Sequence, residues 1–371
     1  MLERLPTPCP QGIRIVPQPD STYGHEAIVQ YGSDRSQWLS HSRRGGTMTP
    51  AGAILAREIR RHGPIPFERF MRIALYHPQH GYYSRRRDPF GKSGDFYTAA
   101  QLQPVFGLLM RKLVGQLRRE LGDPGVCQLI DLGAGREEMA PYFSEFRYTP
   151  VDVGRGVLPQ RFCGVVFANE FFDALPVGVY VRRGSEFFEL RVGLEGERFS
   201  WVESGPAPAS AAAYIDRWAG KAGEGEWREV NLKALQWVSR IARRMSAGFL
   251  LAIDYGYTSR ELVRFPQGTL MSYRRHIASA DVLEEPGERD ITAHVNFTAL
   301  HEHALACGFR LVFMEPLAMT LLRVGEEDQF AAALDAPDEP SRLQRRLQLK
   351  SLLYGMGECF RVMLLRKGAQ Q

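Results

Sequence analysis

Apolar residues recur at two different periods along this chain, and the change of period divides it. After Thr49 and Pro50, which can cap and open a helix, Ile54, Leu55 and Ile59 form a stripe at helical spacing. Pro66 opens a second helix with Phe67, Phe70, Met71 and Ala74 on one side, and a third carries Leu102, Val105, Phe106, Leu109, Leu113 and Leu117. From there the pattern shifts to short continuous apolar runs, "VCQLIDL", "YTPVDV", "CGVVFANE" and "GFLLAIDYG", as parallel strands buried on both faces require. Between them, "VGVYVRRGSEFFELRVGLEGERFSWVES" alternates and carries glycine turns, which predicts an inserted antiparallel hairpin system. Residues 226–245 read as one helix built on Trp227, Val230, Leu235, Val238 and Ile241, and "CFRVMLLRKG" closes the chain as a strand.

Alternating strands and helices predict an α/β fold with an open, mostly parallel sheet. The expected organisation is a helical N-terminal subdomain over 48–125, then a Rossmann-like domain over 126–371 with an insertion at about 178–247. Residues 1–47 show neither period and hold five Arg against four acidic residues. They read as a disordered, dispensable extension, with Met48 a natural start for translation.

Composition narrows the function classes. The formal charge is +5 over 371 residues and the Arg residues are spread, so no clustered basic face for nucleic acid is expected. The densest basic run, "YYSRRRD" from Tyr82 to Asp88, reads as a solvated loop. Five isolated cysteines without metal-ligand spacing speak for reduced thiols and against structural zinc, so no metal is expected. No apolar run approaches the roughly 20 residues of a membrane span, and no signal-peptide core is present. The expected location is the cytoplasm. Oligomeric state is not encoded in any of these patterns.

Ligands of such sheets bind where strand C-termini meet the following turns. Three strands here end in polar residues: "DLGAG", "ANEFFD" and "IDYG". Gly133 and Gly135 allow a tight turn and close approach of a ligand, with Asp131 just before them and a helix expected just after. Asp152 ends the next strand at the spacing where an acid bonds ribose hydroxyls. Glu137 and Glu138 stand where a dinucleotide would place its pyrophosphate, and like charges at close range cost on the order of 1–4 kcal/mol at intermediate dielectric. S-adenosylmethionine has no phosphate and carries an ammonium and a sulfonium, so this turn favours a methyl donor over NAD or FAD. In "ANEFFDALPV", Asn169, Glu170 and Asp173 either form a polar mouth that orients a nucleophile or cap a helix.

The ordered set "HPQHGYY", "GDFYTA", "NEFFDALPV", "DYGY", "GTLMSYRRH", "GERDITAHVNFTAL" and "MGECFRVMLL" resembles the MidA-like family of class I S-adenosylmethionine-dependent methyltransferases, from Met48 to the C-terminus. The resemblance implies a Rossmann-like methyltransferase sheet, S-adenosylmethionine as cofactor and a protein arginine as substrate. Mitochondrial members of the family assist assembly of a respiratory complex, so a respiratory-complex subunit is an implied partner. Matched residue by residue, Asp131, Gly133 and Gly135 fall on the cofactor turn, and Gly94, Asp95, Phe96 and Thr98 fall on a segment near the cofactor's methionine end. Asn169, Glu170 and Asp173 fall on the family's "NExxDALP" signature and Asp254 on its "DYG". His276, Asp290, Thr292 and His294 fall on the segments that follow, where the histidines read as hydrogen-bonded loop residues or as catalytic groups. The family turn continues "GRGTL" where this chain has "GREEM". Only a dozen residues separate Asp152 from the next strand, where relatives fit a further helix and strand that help hold adenine. Two readings follow. In one, Glu170 and Asp173 bind a guanidinium for methyl transfer. In the other, the chain is a cofactor-degenerate assembly or binding protein that keeps the fold.

Overall fold

The computed structural model describes residues 48–84, 103–122, 125, 127–275 and 277–368. Thr49 caps the first helix, α1 (Pro50–His62), its side chain accepting from the Gly52 amide at 3.0 Å. Next come α2 (Phe67–Tyr76) and α3 (Val105–Glu120). The expected apolar stripes are the buried ones: Leu55 and Ile59, then Phe67, Phe70 and Met71, then Leu109, Leu113 and Leu117.

The centre is a seven-stranded sheet. In chain order its strands are β1 (Gln128–Leu132), β2 (Arg147–Val151), β3 (Phe162–Asn169), β4 (Met245–Tyr257), β5 (Val295–Asn296), β6 (Phe309–Pro316) and β7 (Phe360–Lys367). Across the sheet they run β6-β7-β4-β3-β1-β2, with β5 paired to the end of β4. The β2, β1, β3 and β4 strands are parallel, while β7 lies antiparallel between β4 and β6. This is a Rossmann-like class I arrangement. Three of the four apolar runs are central strands, β1, β3 and β4, because both sheet faces are covered there, while "YTPVDV" forms the edge strand β2. Leu129, Val165, Phe167 and Leu251 pack toward α3, and Ile130, Leu132, Val166 and Leu250 toward α5 (Leu232–Arg244) and α6 (Phe297–Ala306).

A second layer stands against the strand ends. The insertion forms an antiparallel sheet from Gly178–Arg183, Glu186–Glu195, Arg198–Pro206 and Trp227–Val230, followed at its third strand by α4 (Ala209–Trp218). Ile65 and Pro66 add to it by pairing with Val192 and Arg191. The α1 and α2 helices share one apolar core with this sheet and with Leu270, Val282, Leu283 and Ile291, whereas α3 belongs to the large sheet.

Two expectations need correction. Residues 226–245 are not one helix: Trp227–Val230 is a strand paired with Gly178–Val181, and the helix begins only after Asn231. Trp227 and Val230 fit a helical stripe equally well, but the open edge of Gly178–Arg183 supplies backbone partners that a helix would forgo. Asn231 then caps α5, accepting from the Ala234 amide at 2.9 Å. The glycine turn is likewise not followed by an α-helix. Residues 136–139 form turns that lead into a short 3-10 segment, Ala140–Tyr142.

Candidate active site

The β1 strand delivers Gly133 and Gly135 to its C-terminal end at φ 72° and 52°, a backbone region that suits glycine. A side chain on Gly133 would stand 3.1 Å from the Phe171 ring, so the glycine turn and the "NEFFD" segment pack directly on one another. The residues after β2 hold this turn from outside. The Gly135 amide donates to Asp152 Oδ2 at 2.7 Å, and Arg155 Nη2 donates to the Gly135 carbonyl at 2.7 Å. Asp152 and Arg155 are themselves tied by backbone bonds of 2.8 and 3.1 Å. Arg155 Nη1 also pairs with Glu137 at 2.9 Å. The clamp stands where no helix follows the turn. Glu137 is thus a neutralised partner of Arg155, held at φ 61°. Glu138 is half-buried, and burial raises its carboxyl although Arg136 opposes the rise.

Asp131, just before the turn, is buried, and its Oδ2 accepts from the Tyr148 hydroxyl on β2 at 2.7 Å. Burial pushes its carboxyl up to about 7, opposed by Tyr148 and reinforced by Asp152 and Glu137.

At the end of β3 the chain turns through Glu170 at φ 51°, with the Glu170 amide donating to the Ile253 carbonyl at 2.8 Å. Asn169 Nδ2 donates to Glu170 Oε1 at 3.1 Å, which fixes the amide and leaves Asn169 Oδ1 buried with no partner among the described residues. Asp254, fully buried on β4, accepts from the Phe172 amide at 2.9 Å, the Asp173 amide at 3.4 Å and its neighbour Tyr255 at 3.0 Å. It is the bracket that shapes the loop. Burial, then the charge of Asp173, holds its carboxyl well above the usual range. Asp173 is 4% exposed and its Oδ1 also lacks a partner among the described residues. Burial, then Asp290, raises it to about 7.

Gly94, Asp95, Phe96, Thr98 and His276, together with the basic run from Arg85 and the extension 1–47, lie outside the described residues. His294 packs between Tyr255 (ring centroids 6.3 Å) and Phe265 (5.5 Å), and burial lowers its imidazole to about 4. The ring therefore stays neutral at pH 7 and packs among aromatics. Sequence reasoning missed Tyr76, Tyr83, Asn231 and Arg155. Asn231 Nδ2 donates to the Phe172 carbonyl at 3.0 Å and the Tyr76 hydroxyl to the Ala174 carbonyl at 2.7 Å, so both brace the loop from the second layer. The advance signals were an Asn ahead of an apolar helical stripe and, for Tyr83, its place in "HPQHGYY". Among the described residues no cluster of His, Cys, Asp and Glu is placed to hold a metal.

Comparison with known proteins points the same way. A family model described as "Putative S-adenosyl-L-methionine-dependent methyltransferase" matches residues 152–314. A Burkholderia thailandensis protein crystallised with S-adenosyl-homocysteine is 29% identical and superposes with a TM-score of 0.74, over 86% of this chain and 93% of that one. These matches support the resemblance to the MidA-like family of S-adenosylmethionine-dependent methyltransferases. Similar proteins include the mitochondrial protein arginine methyltransferase NDUFAF7 homolog of Drosophila melanogaster, 28% identical over 63% of this chain and 65% of that protein. The mitochondrial NDUFAF7 protein of Danio rerio is 24% identical over 78% of this chain and 80% of its own length. The cofactor is S-adenosylmethionine, and the residues present fit it. A positive-φ glycine turn abuts the loop that carries a buried acceptor unsatisfied among the described residues, with an acid at the end of β2. The stretch after Asp152 is short, and among the described strands β2 is the edge of the sheet. Both relatives are named as mitochondrial, so the expected cytoplasmic location is not a property shared across the family. No helix among the described residues is long and apolar enough to cross a membrane.

Proposed function

We propose that this methyltransferase acts on an arginine side chain of a protein, with the mouth between β3 and β4 as the reaction site. One observation carries the reading: the buried atoms of that loop that lack a partner among the described residues, Asn169 Oδ1 and Asp173 Oδ1, are both acceptors. A buried acceptor without a partner costs about 1–3 kcal/mol, which a donor-rich ligand recovers. A guanidinium is five N–H donors and no acceptor. The names of the animal relatives as protein arginine methyltransferases support the same substrate.

S-adenosylmethionine supplies an electrophilic methyl group whose bonding electrons remain on sulfur as the new N–C bond forms. The chain's own residues bind, orient and take up a proton. Asp254 fixes the loop, Glu170 and Asn169 line its mouth, and Asp173 is poised near neutrality to accept the proton lost from the alkylated nitrogen. Positioning is the larger contribution, because the displacement must be in line. By family resemblance the proposed partner is a respiratory-complex subunit. The cytoplasm is the proposed site of action, on the strength of the isolated cysteines. The alternative of a cofactor-degenerate binding protein is not favoured.

The test is methyl-labelled S-adenosylmethionine incubated with the protein and a cell extract, followed by amino-acid analysis of the hydrolysate. Label in methylarginine supports the proposal; label confined to other residues, or none, overturns it.

A further inference from the structure

Glu170 and Asp173 are the two carboxylates expected to act together, and the fold brings others to them. Glu170 bonds Asn169 and bears on Asp254 and Tyr255. Besides Asp254, a carboxylate that bears on Asp173 is Asp290, far along the chain in the strand Asp290–Thr292. That strand is tied to the loop by the Ala293 amide, which donates to the Asp173 carbonyl at 3.0 Å. Asp290 is 2% exposed; its Oδ1 accepts from the Tyr83 hydroxyl at 2.8 Å and the Ile291 amide at 3.0 Å.

Two carboxylates buried side by side repel unless a proton or a cation lies between them. Tyrosines surround this pair. The Tyr76 and Tyr83 rings stack with centroids 5.5 Å apart, and Tyr273, on the strand Met271–Arg274 that pairs antiparallel with Asp290–Thr292, is the register partner of Asp290. The hydroxyls of Tyr76, Tyr83 and Tyr273 are all held well above their usual range, by burial and then by Asp290. They therefore act as neutral donors and aromatic walls, not as counterions. Asp173 Oδ1 has no partner among the described residues. A group suited to this place is flat and cationic, donates along two edges and tolerates aromatic faces. A guanidinium meets all of these; an ammonium, a compact point charge, meets fewer.

Resting on the arginine reading above, we propose that Asp173 and Asp290 together grip the substrate guanidinium, and that Tyr83 is a positioning residue that orients Asp290. The recognition pair therefore joins the loop after β3 to the second layer, and Glu170 is left to the mouth.

Ethylguanidine is the probe, titrated calorimetrically into the full chain saturated with S-adenosyl-homocysteine. Asp290→Asn keeps an oxygen for Tyr83 and Ile291 but loses the charge. We expect at least tenfold weaker ethylguanidine binding in Asp290→Asn and in Asp173→Asn, with S-adenosyl-homocysteine affinity within twofold of wild type. Tyr83→Phe should weaken the probe three- to tenfold by the same selective pattern, and it decides the matter should the Asp290 variant not fold. Ethylguanidine binding that is absent in the wild type, equal in Asp290→Asn, or matched by ethylamine overturns the assignment. Loss of S-adenosyl-homocysteine binding in the wild type would instead strike at the methyltransferase reading, and that titration is run first and alone.

Discussion

Removing the clamp on the glycine turn should weaken the cofactor without unfolding the protein. Gly135 is held at both its polar groups from the segment after β2, its amide by Asp152 and its carbonyl by Arg155. In the absence of a following helix these bonds set where the turn lies. A hydrogen bond to a charged group is worth about 1.5–3 kcal/mol when protected. The Arg155 side chain is 43% exposed, however. Solvent screening cuts its share to roughly 1 kcal/mol. Arg155→Ala should therefore weaken S-adenosyl-homocysteine about fivefold, since 1.4 kcal/mol is a factor of ten. Asp152→Ala loses the 2.7 Å bond to the Gly135 amide. It should weaken the ligand roughly 5- to 100-fold, as about 1–3 kcal/mol requires. Because both act through one residue, the double variant should fall short of the summed effects. Isothermal titration with S-adenosyl-homocysteine, beside thermal melts of each variant, reads this out. Dissociation constants within twofold of wild type for both single variants would show that the turn supports itself and that the clamp is incidental.

Three further outcomes are expected. Glu137→Gly relieves a left-handed non-glycine residue, worth about 1 kcal/mol, and loses an exposed ion pair worth about 0.2–1 kcal/mol. Its melting temperature should match or slightly exceed wild type with tighter cofactor binding, and weaker binding would show that Glu137 contacts the ligand. Asp131 is held near 7, above its unfolded value, so folding is penalised above about pH 7 and the penalty vanishes below about pH 4. Asp131→Asn keeps an acceptor for Tyr148 and should gain roughly 2–4 kcal/mol in urea unfolding at pH 8 and little at pH 4; a gain independent of pH would refute the cause. Asn231→Ala removes both the α5 cap and the bond to the Phe172 carbonyl. It should cost about 2 kcal/mol by denaturant titration, the sum of a cap and a neutral bond, and a loss under about 0.5 kcal/mol would refute the role.

What could be read along the chain was whatever depends on near neighbours. Continuous apolar runs marked β1, β3 and β4, because a strand covered on both faces must be apolar throughout. The glycines of "DLGAG" marked a turn, because a positive φ favours glycine wherever the turn lies. The cluster in "ANEFFD" marked the proposed reaction mouth, since three polar groups at a buried strand end need a reason. The misreadings came where a distant partner decides. Trp227–Val230 is a strand only because Gly178–Val181 presents an edge to it. Glu137 looked like a charge set against a ligand until Arg155, brought round by the turn after β2, neutralised it. Asp131 had the position of a ligand residue, and Tyr148 on β2 gives it a partner within the chain. Asp173 and Asp290 lie on different layers, and no periodicity relates them. Only the packing of the second layer against the strand ends makes them neighbours, because charge and hydrogen bonding act through space and not along the sequence.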